Sequence, residues 1–316
     1  MRPMDDPSVR PLTDDFVLPF QIEASRLRGR IVKLGPAIDE ILTRHDYPPT
    51  VARFLAETAT LAVLLASMLK YEGIFTLQTK GDGPIRLMVA DVTSVGDVRA
   101  YAQFDPEALA KAERDVDIAP AAALLGKGYI AFTVDQGPDT DRYQGIVELY
   151  GKTLTDCVQH YFRQSEQIDT GLTVSVDRAA LPDGSFGPWR TGGIMIQRLP
   201  QEQGLTASDN EDDWRRAMAL MASVSGDELL STELPAADLL YRLFHEDGVR
   251  VYDGHALRFG CRCSRERVET MLRSLPREEV QELKIDDGRV EVTCQFCSTD
   301  YHFTDADLDR VYGPAA

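Results

Sequence analysis

Apolar and polar residues alternate along much of the chain between Gly73 and Val176, which is the pattern of β-strands. The stretch GIFTLQTKGDGPIRLMVADV has two such runs separated by a Gly-Asp-Gly-Pro turn. The later stretch GYIAFTVDQGPDTDRYQGIVELY repeats this arrangement. Each stretch therefore predicts a pair of neighbouring strands.

Helical spacing interrupts the strands at Pro106–Arg114 and Leu154–Phe162. In front of the second segment, Thr153 with Asp156 three residues later predicts an N-terminal cap. Together with the strands, these helices predict an α+β fold for residues 1–200.

The most apolar stretch, TVARFLAETATLAVLLASML, follows two prolines and begins at Thr50. It carries Arg53 and Glu57, so it predicts a buried helix rather than a membrane span. The N-terminal sequence MRPMDDPSVRPLTDDF has acidic residues and prolines where a signal peptide needs an apolar run, so we expect a cytoplasmic protein.

The pattern changes after Pro200. Between Gln201 and Asp247 there are eleven Asp or Glu against three Arg, a net charge of −8. Amphipathic helices are still predicted there, and short acidic helices are stable only when their apolar faces pack on another element. We therefore expect residues 201–250 to form an acidic helical linker. Its apolar positions at helical spacing are Trp214, Met218, Met221, Val224, Leu239, Leu240, Leu243 and Phe244.

The last part of the chain, residues 251–316, has little apolar material for a core of its own. Ser264 is expected to cap a helix, and PREEVQEL predicts a second one. The stretch DDGRVEVTCQFC predicts a turn followed by a strand that ends at a pair of cysteines.

Four of the five cysteines form two close pairs, Cys261 with Cys263 and Cys294 with Cys297, about thirty residues apart. Four thiolates in this arrangement fit one tetrahedral Zn²⁺ ion. A structural Zn²⁺ contributes about 10–16 kcal/mol to the folding of a small domain. We therefore expect the C-terminal part to unfold when the metal is lost.

The residues alone allow two interpretations of this site, a redox-reactive zinc site and a permanent structural one. The unusual Cys-x-Cys spacing and nearby arginines favour thiols that are ionised and reactive towards oxidants. Those arginines are Arg258, Arg262, Arg265 and Arg267. In the alternative, zinc is permanent and the arginines only neutralise it. We expect Cys157 to be a buried core thiol and His302 to be a packing or surface residue.

Composition narrows the class of function. The 316-residue chain has a formal net charge of −17, which disfavours binding to nucleic acid or to anionic membranes. It has no phosphate-binding Gly-x-x-x-x-Gly-Lys loop and no nucleophile elbow, and we expect it not to be an enzyme.

Two rival functions use the same cysteines. A zinc-ribbon nucleic-acid module would be retained on heparin or DNA. A dithiol oxidoreductase would reduce insulin with turnover, although its Cys-x-x-Cys belongs at the start of a helix in a βαβ unit and not on a hairpin.

The sequence resembles the heat-shock protein 33 family of redox-regulated chaperones, also called 33 kDa chaperonins, over nearly the whole chain. The resemblance is carried by FGCRCSRER together with TCQFC, and supported by GYIAFTV, DRYQGIVELYG, YFRQSEQIDT and TGGIMIQRLP. One departure is an acidic, proline-containing N-terminal extension of about fifteen residues, to which we assign no role.

The resemblance implies a substrate-binding core at 1–200, a linker at 201–250 and a zinc-binding redox switch at 251–316. It implies that the four paired cysteines hold one Zn²⁺ in the reduced, inactive state. On oxidation Cys261 would join Cys263, Cys294 would join Cys297, and zinc would be released. The family also implies an active homodimer. The eight apolar linker positions are our candidates for the surface that then binds unfolding proteins, without ATP, under oxidative stress.

Overall fold

The computed structural model describes residues 14–114, 121–137, 140, 142–181, 183–198, 207–285 and 287–313. Most of the N-terminal extension and the junction at Pro200 and Gln201 lie outside these residues. The chain divides into two compact units between Phe259 and Gly260.

The first unit contains two six-stranded sheets and eight α-helices among its described residues. The strands are β1 (Phe16–Ile22), β2 (Leu27–Leu34), β3 (Ile74–Gly81), β4 (Ile85–Thr93), β5 (Asp97–Phe104), β6 (Gly128–Asp135), β7 (Tyr143–Glu148), β8 (Thr170–Ala180), β9 (Phe186–Arg198), β10 (Val249–Val251), β11 (His255–Ala256) and β12 (Arg258–Phe259). The helices are α1 (Pro36–Thr43), α2 (Pro49–Ala66), α3 (Pro106–Glu113), α4 (Ala121–Leu125), α5 (Leu154–Tyr161), α6 (Ala207–Ala222), α7 (Gly226–Leu230) and α8 (Ala236–Phe244).

The first sheet has the strand order β10-β1-β2-β9-β8, with β11 also paired to β1. The second has the order β12-β5-β4-β3-β6-β7. Within it β3 pairs antiparallel with β4, and β6 with β7, which confirms the two predicted strand pairs. Among the described strands, only β12 runs parallel to its neighbour, β5.

Helix α2 contacts strands of both sheets and forms the centre of the main core. By length and composition alone it could cross a membrane, but 72% of it is buried inside the protein. The prediction of a buried helix is therefore confirmed. Gly193 on β9 allows the close approach of α2, because a Cβ there would lie 3.0 Å from atoms of Thr60 and Leu64.

Successive residues of a strand point to opposite faces of the sheet. The central strands of the first sheet have apolar residues at consecutive positions, so both faces of the sheet are buried. Val32 and Met195 point into the main core around α2, whereas their neighbours Ile31 and Ile194 belong to a second core. Helices α6, α7 and α8 supply the other wall of that second core. The acidic helices thus have the packing partner that their sequence requires.

Local sequence signals set the ends of several helices as predicted. Thr153 and Asp156 form a reciprocal capping box at the start of α5. Pro235 is the N-cap residue of α8. Helix α7, which has a capping box of its own between Ser225 and Glu228, was not predicted because it has only five residues.

The second unit contains a two-stranded antiparallel hairpin and three helices among its described residues. They are α9 (Arg265–Leu272), α10 (Arg277–Glu282), β13 (Val290–Thr293), β14 (Asp300–Phe303) and α11 (Asp305–Tyr312). Its core is thin. The buried members are Leu272, Val280, Val290, Phe303, Leu308 and Val311.

The predicted start of the zinc region at residue 251 differs from the boundary that the contacts give. Strands β10 and β12 pair with β1 and β5 of the first unit, so the chain up to Phe259 belongs there. The further division into a core at 1–200 and a linker at 201–250 stays a prediction.

Candidate metal centre

Short-range structure of the second unit positions the cysteines. Cys261 and Cys263 lie just before α9, whose N-cap Ser264 accepts a hydrogen bond from the backbone N–H of Arg267. The other pair lies in the turn between β13 and β14. The N–H of Ser298, which has a φ of +54°, closes that turn on the carbonyl of Cys294 at 2.8 Å.

The four sulfur atoms of Cys261, Cys263, Cys294 and Cys297 lie within 4.8 Å of one another. Sγ of Cys261 is 3.7 Å from Sγ of Cys294, and Sγ of Cys263 is 3.3 Å from Sγ of Cys297. Ligands of a tetrahedral zinc–thiolate site are about 3.8 Å apart, since each Zn–S bond is about 2.3 Å long. The donor set and its spacing therefore fit Zn²⁺.

The cluster is partly shielded from water, with Cys297 buried and the other three cysteines half-buried. Among the described residues it is the single group of Cys, His, Asp and Glu side chains close enough to share a metal ion. His302 on β14 is not in the group, and its ring lies 3.4 Å from the Glu291 carboxylate.

The thiols of the cluster differ in acidity. Burial raises the pKa of Cys263 to about 12, and the adjacent sulfurs add to the rise. Burial also raises the pKa of Cys297, but hydrogen bonds with Thr299 and Cys263 outweigh this and lower it to about 7. A bound cation would deprotonate all of its thiol ligands.

The sequence analysis missed two residues that contact the sulfurs. Thr299 lies 3.2 Å from Sγ of Cys297, and the Tyr301 hydroxyl hydrogen-bonds to Cys263. Hydrogen bonds of this kind orient metal ligands and tune their basicity. Both residues follow the Cys-x-x-Cys turn on or next to β14, and only the folded hairpin brings them back to the cluster.

Three of the four arginines near the first cysteine pair have contacts with other residues. Arg265 stacks on the ring of Phe303 and pairs with Asp307 at 3.1 Å, and Arg267 donates to the carbonyl of Arg262 at 2.7 Å. Arg258 pairs with Asp97 in the first unit. Hydrogen bonds lower the pKa of Cys297, and the effect of the arginines on the thiols stays a prediction.

The fifth cysteine, Cys157, is 3% exposed in the core of the first unit, as predicted. Its thiol donates to the carbonyl of Tyr150 at 3.0 Å, and burial raises its pKa. Cys157 therefore offers a natural control for experiments on the cluster.

All eight candidate client-binding residues lie in the second core, against the first sheet. Met221, Leu239, Leu240 and Phe244 are buried, and Trp214, Met218, Val224 and Leu243 are partly buried against the same core. None of these eight described side chains is an exposed large apolar residue in this state. The four buried side chains could contact another protein only after α6 and α8 leave the sheet.

Polar contacts also hold the acidic helices in place. Lys33 is 3% exposed, and its ammonium donates to the carbonyls of Ser231 and Leu234 at 2.7 and 2.9 Å. Arg198 on β9 lies over the ring of Trp214 and pairs with Glu211 of α6 at 3.2 Å. The segment is thus bound by apolar packing and by cations of the first sheet.

Comparisons with a family model and with known proteins indicate the same family. A family model described as Hsp33 protein matches residues 15–304. The chain is 44% identical over 288 residues to a 33 kDa chaperonin of Caulobacter vibrioides, covering 91% of this chain and 94% of that protein. A 33 kDa chaperonin of Pseudomonas fluorescens is 34% identical over 305 residues, covering 95% of this chain and 94% of that protein.

The fold is also similar to a solved one. The crystal structure of the 33 kDa chaperonin, heat shock protein 33 homolog, of Thermotoga maritima matches with a TM-score of 0.74 and 22% identity. The match covers 94% of this chain and 97% of that chain. At this level of identity the likeness concerns the fold.

Proposed function

The chain belongs to the Hsp33 family and is a chaperone, and from this premise we propose that oxidation of its four clustered cysteines switches on ATP-independent binding of unfolding proteins. The observation that carries the proposal is the grouping of four sulfur atoms within 4.8 Å in a unit with a very small apolar core. We further propose that the protein works in the cytoplasm and forms a homodimer when oxidised.

In the reduced state, Cys261, Cys263, Cys294 and Cys297 would hold one Zn²⁺. Bound zinc supplies folding free energy of about 10–16 kcal/mol in small domains of this kind. The six buried side chains of the described core contribute little apolar burial. The entropy cost of ordering three helices and a hairpin is large in comparison. The cysteine ligands are therefore the main support of the second unit.

Oxidation removes those ligands. A peroxide takes two electrons from each pair of thiols, and a disulfide forms in each as the peroxide is reduced to water or alcohol. We propose the pairs Cys261–Cys263 and Cys294–Cys297, after which the sulfurs no longer bind the metal. Because the reduced cluster brings Cys261 to Cys294 and Cys263 to Cys297, the opposite pairing is a real alternative that peptide mapping distinguishes.

Loss of the second unit is then proposed to release residues 201–250. The net charge of −8 between Gln201 and Asp247 favours an extended segment once packing is lost. Release uncovers two apolar surfaces at once, the faces of α6 and α8 and the first sheet beneath them. Large exposed apolar patches on a protein are sites of interaction with other proteins, and here we expect them to bind unfolded chains.

A direct experiment follows zinc, thiols and chaperone activity in the same sample. Peroxide with mild heat should release one zinc per chain, lower the helical signal and switch on suppression of aggregation of a model client. Equal suppression by the reduced, zinc-loaded protein would contradict the proposal.

A pair of variants separates the cluster from general thiol chemistry. Cys263→Ser should bind zinc weakly and be partly active without an oxidant. Cys157→Ser, which changes a thiol outside the cluster, should keep full zinc content and full regulation. Normal regulation in Cys263→Ser would count against the switch.

A further inference from the structure

A cavity of about 440 Å³ lies at the end of α2 in the first unit. Its volume is within the range of small-molecule sites in proteins, about 300–1,000 Å³. The wall is mainly apolar and aromatic. It includes Leu65, Met68, Phe75, Phe132, Tyr161 and Ile168.

Two cations line this wall, the exposed Lys70 and the more buried Arg28. Arg28, on β2, is half-buried and donates through Nη2 to Oε1 of Gln197 at 3.0 Å. Its Nε is fully buried and has no hydrogen-bond partner within the described residues. Gln197 is itself 1% exposed and donates through Nε2 to Thr170, so its oxygen is held towards the arginine.

The charge balance around Arg28 is unusual for so acidic a chain, which has 51 Asp and Glu against 34 Lys and Arg. Across the described part of the chain, Arg28 makes no ion pair with a carboxylate. Arg30, two residues along β2, donates only to the carbonyls of Ser67 and Gly29. Burial lowers the pKa of both arginines. A half-buried charge without a counterion is unfavourable, and a bound anion would relieve it.

The one carboxylate that lines the cavity is already engaged. The hydroxyl groups of Tyr161 and Tyr143 donate to Oε1 of Glu166 at 2.6 and 2.9 Å. Because the Glu166 carboxylate also lines this wall, an anion with a single charge fits better than a doubly charged one. The apolar wall requires an apolar body attached to that charge.

We propose that this cavity binds a small monocarboxylate with an apolar body, with the carboxylate on the Arg28 guanidinium and the body against Phe75 and Phe132. The site is made of side chains that the four-cysteine cluster does not use. It also shares no lining residue with α6 or α8. The proposal therefore stands apart from the redox switch.

The test titrates decanoate, well below its micellar range, into the reduced, zinc-loaded full chain and follows binding by calorimetry. Decanoate should bind with one site per chain. Decanol, which has the body without the charge, and acetate, which has the charge without the body, should each bind at least tenfold more weakly. Arg28→Gln should also weaken decanoate binding at least tenfold, whereas Arg163→Gln, an exposed arginine outside the cavity, should leave it unchanged.

A second variant keeps the test decisive if Arg28→Gln fails to fold. Ile168→Trp leaves Arg28 in place and fills the cavity, so it should weaken decanoate binding at least tenfold with a normal melting curve. The proposal is overturned if decanoate does not saturate, if decanol or acetate binds as tightly, or if Arg163→Gln loses as much affinity as Arg28→Gln.

Discussion

The two units of this chain are stabilised in different ways. The first buries the long helix α2 against two sheets, and its core continues through both faces of the first sheet. The second has six buried apolar side chains and a cluster of four cysteines. Apolar burial is indifferent to oxidants, whereas thiolate ligands are lost when they are oxidised. We therefore expect the first unit to persist under oxidation and the second to unfold.

The difference also teaches why the acidic helices belong with the first unit. Their apolar faces complete its second core, so the unit that survives carries both surfaces of the proposed client site. Covalently, the helices connect through β10 to β12 to the cysteine unit, which begins at Gly260.

The largest expected effect comes from stripping the metal. A chelator should remove about 10 kcal/mol or more of folding free energy from the second unit, because the metal–ligand bonds are lost, and Cys263→Ser should remove part of it. Hydrogen exchange should become fast from Gly260 to Gly313 and stay slow in α2. Protection of the second unit that is equal with and without metal would remove the contrast between the units.

Truncation of core side chains tests whether each unit is coupled to the metal. Phe303→Ala and Leu55→Ala each remove a side chain with 0% exposure and should cost about 2–5 kcal/mol. Only Phe303→Ala should also weaken zinc binding, measured by competition with a chelating dye. Met271→Ala, at a side chain 44% exposed in the second unit, is the control and should change neither quantity appreciably.

Lys33→Met tests how strongly the hydrogen bonds of Lys33 stabilise the packing of the acidic helices on the first sheet. The change leaves the carbonyls of Ser231 and Leu234 without their donor, which should weaken docking by about 2–3 kcal/mol. Hydrogen exchange in α7 and α8 should speed up, and less oxidant should be needed for activity, with zinc content unchanged. Lys80→Met, at an exposed position of β3, is the matched control. Slower exchange in Lys33→Met would mean that desolvation of the ammonium outweighs its hydrogen bonds.

The two units should respond to pH with opposite signs. Burial raises the pKa of Glu57, on α2, to about 7 from the usual 4.5. Its contribution to stability is therefore complete below pH 4.5 and is lost as the pH rises through 7. Zinc binding by the second unit should instead strengthen as pH rises, since the ligands must lose protons.

Glu57→Gln isolates the smaller of these effects. This variant should raise the free energy of unfolding of the first unit by about 1–2 kcal/mol at pH 8 and have little effect at pH 4. Glu148→Gln, at an exposed position of β7, should leave the pH profile unchanged. The same profile in Glu57→Gln and the natural chain would exclude Glu57 as its source.

Local patterns predicted a good part of the fold. The two strand pairs, α2, α5 with its capping box, and α9 after Ser264 are all formed as the spacing indicates. The pairing of β10 could not be predicted, because the sequence VRVYD carries no sign that its partner is β1, more than two hundred residues earlier in the chain. The five-residue helix α7 is too short for a periodic pattern.

The candidate site was predicted to a similar extent. Cysteine spacing alone selected the four residues that the fold brings together. It could not identify Thr299 and Tyr301 as their hydrogen-bond partners. Contacts of this kind depend on how β14 returns along β13.

By itself, the sequence determined several of the helices and strands, where the acidic charge lies and which four thiols can share a metal. These properties depend on neighbours a few residues apart. The tertiary structure decided that the apolar faces of α6 and α8 are covered by the first sheet, that the chain up to Phe259 belongs to the first unit, and that Arg28 faces a cavity without a counterion. Each of these depends on burial between residues far apart in the chain, and local periodicity carries no information about which distant surface will cover a given face.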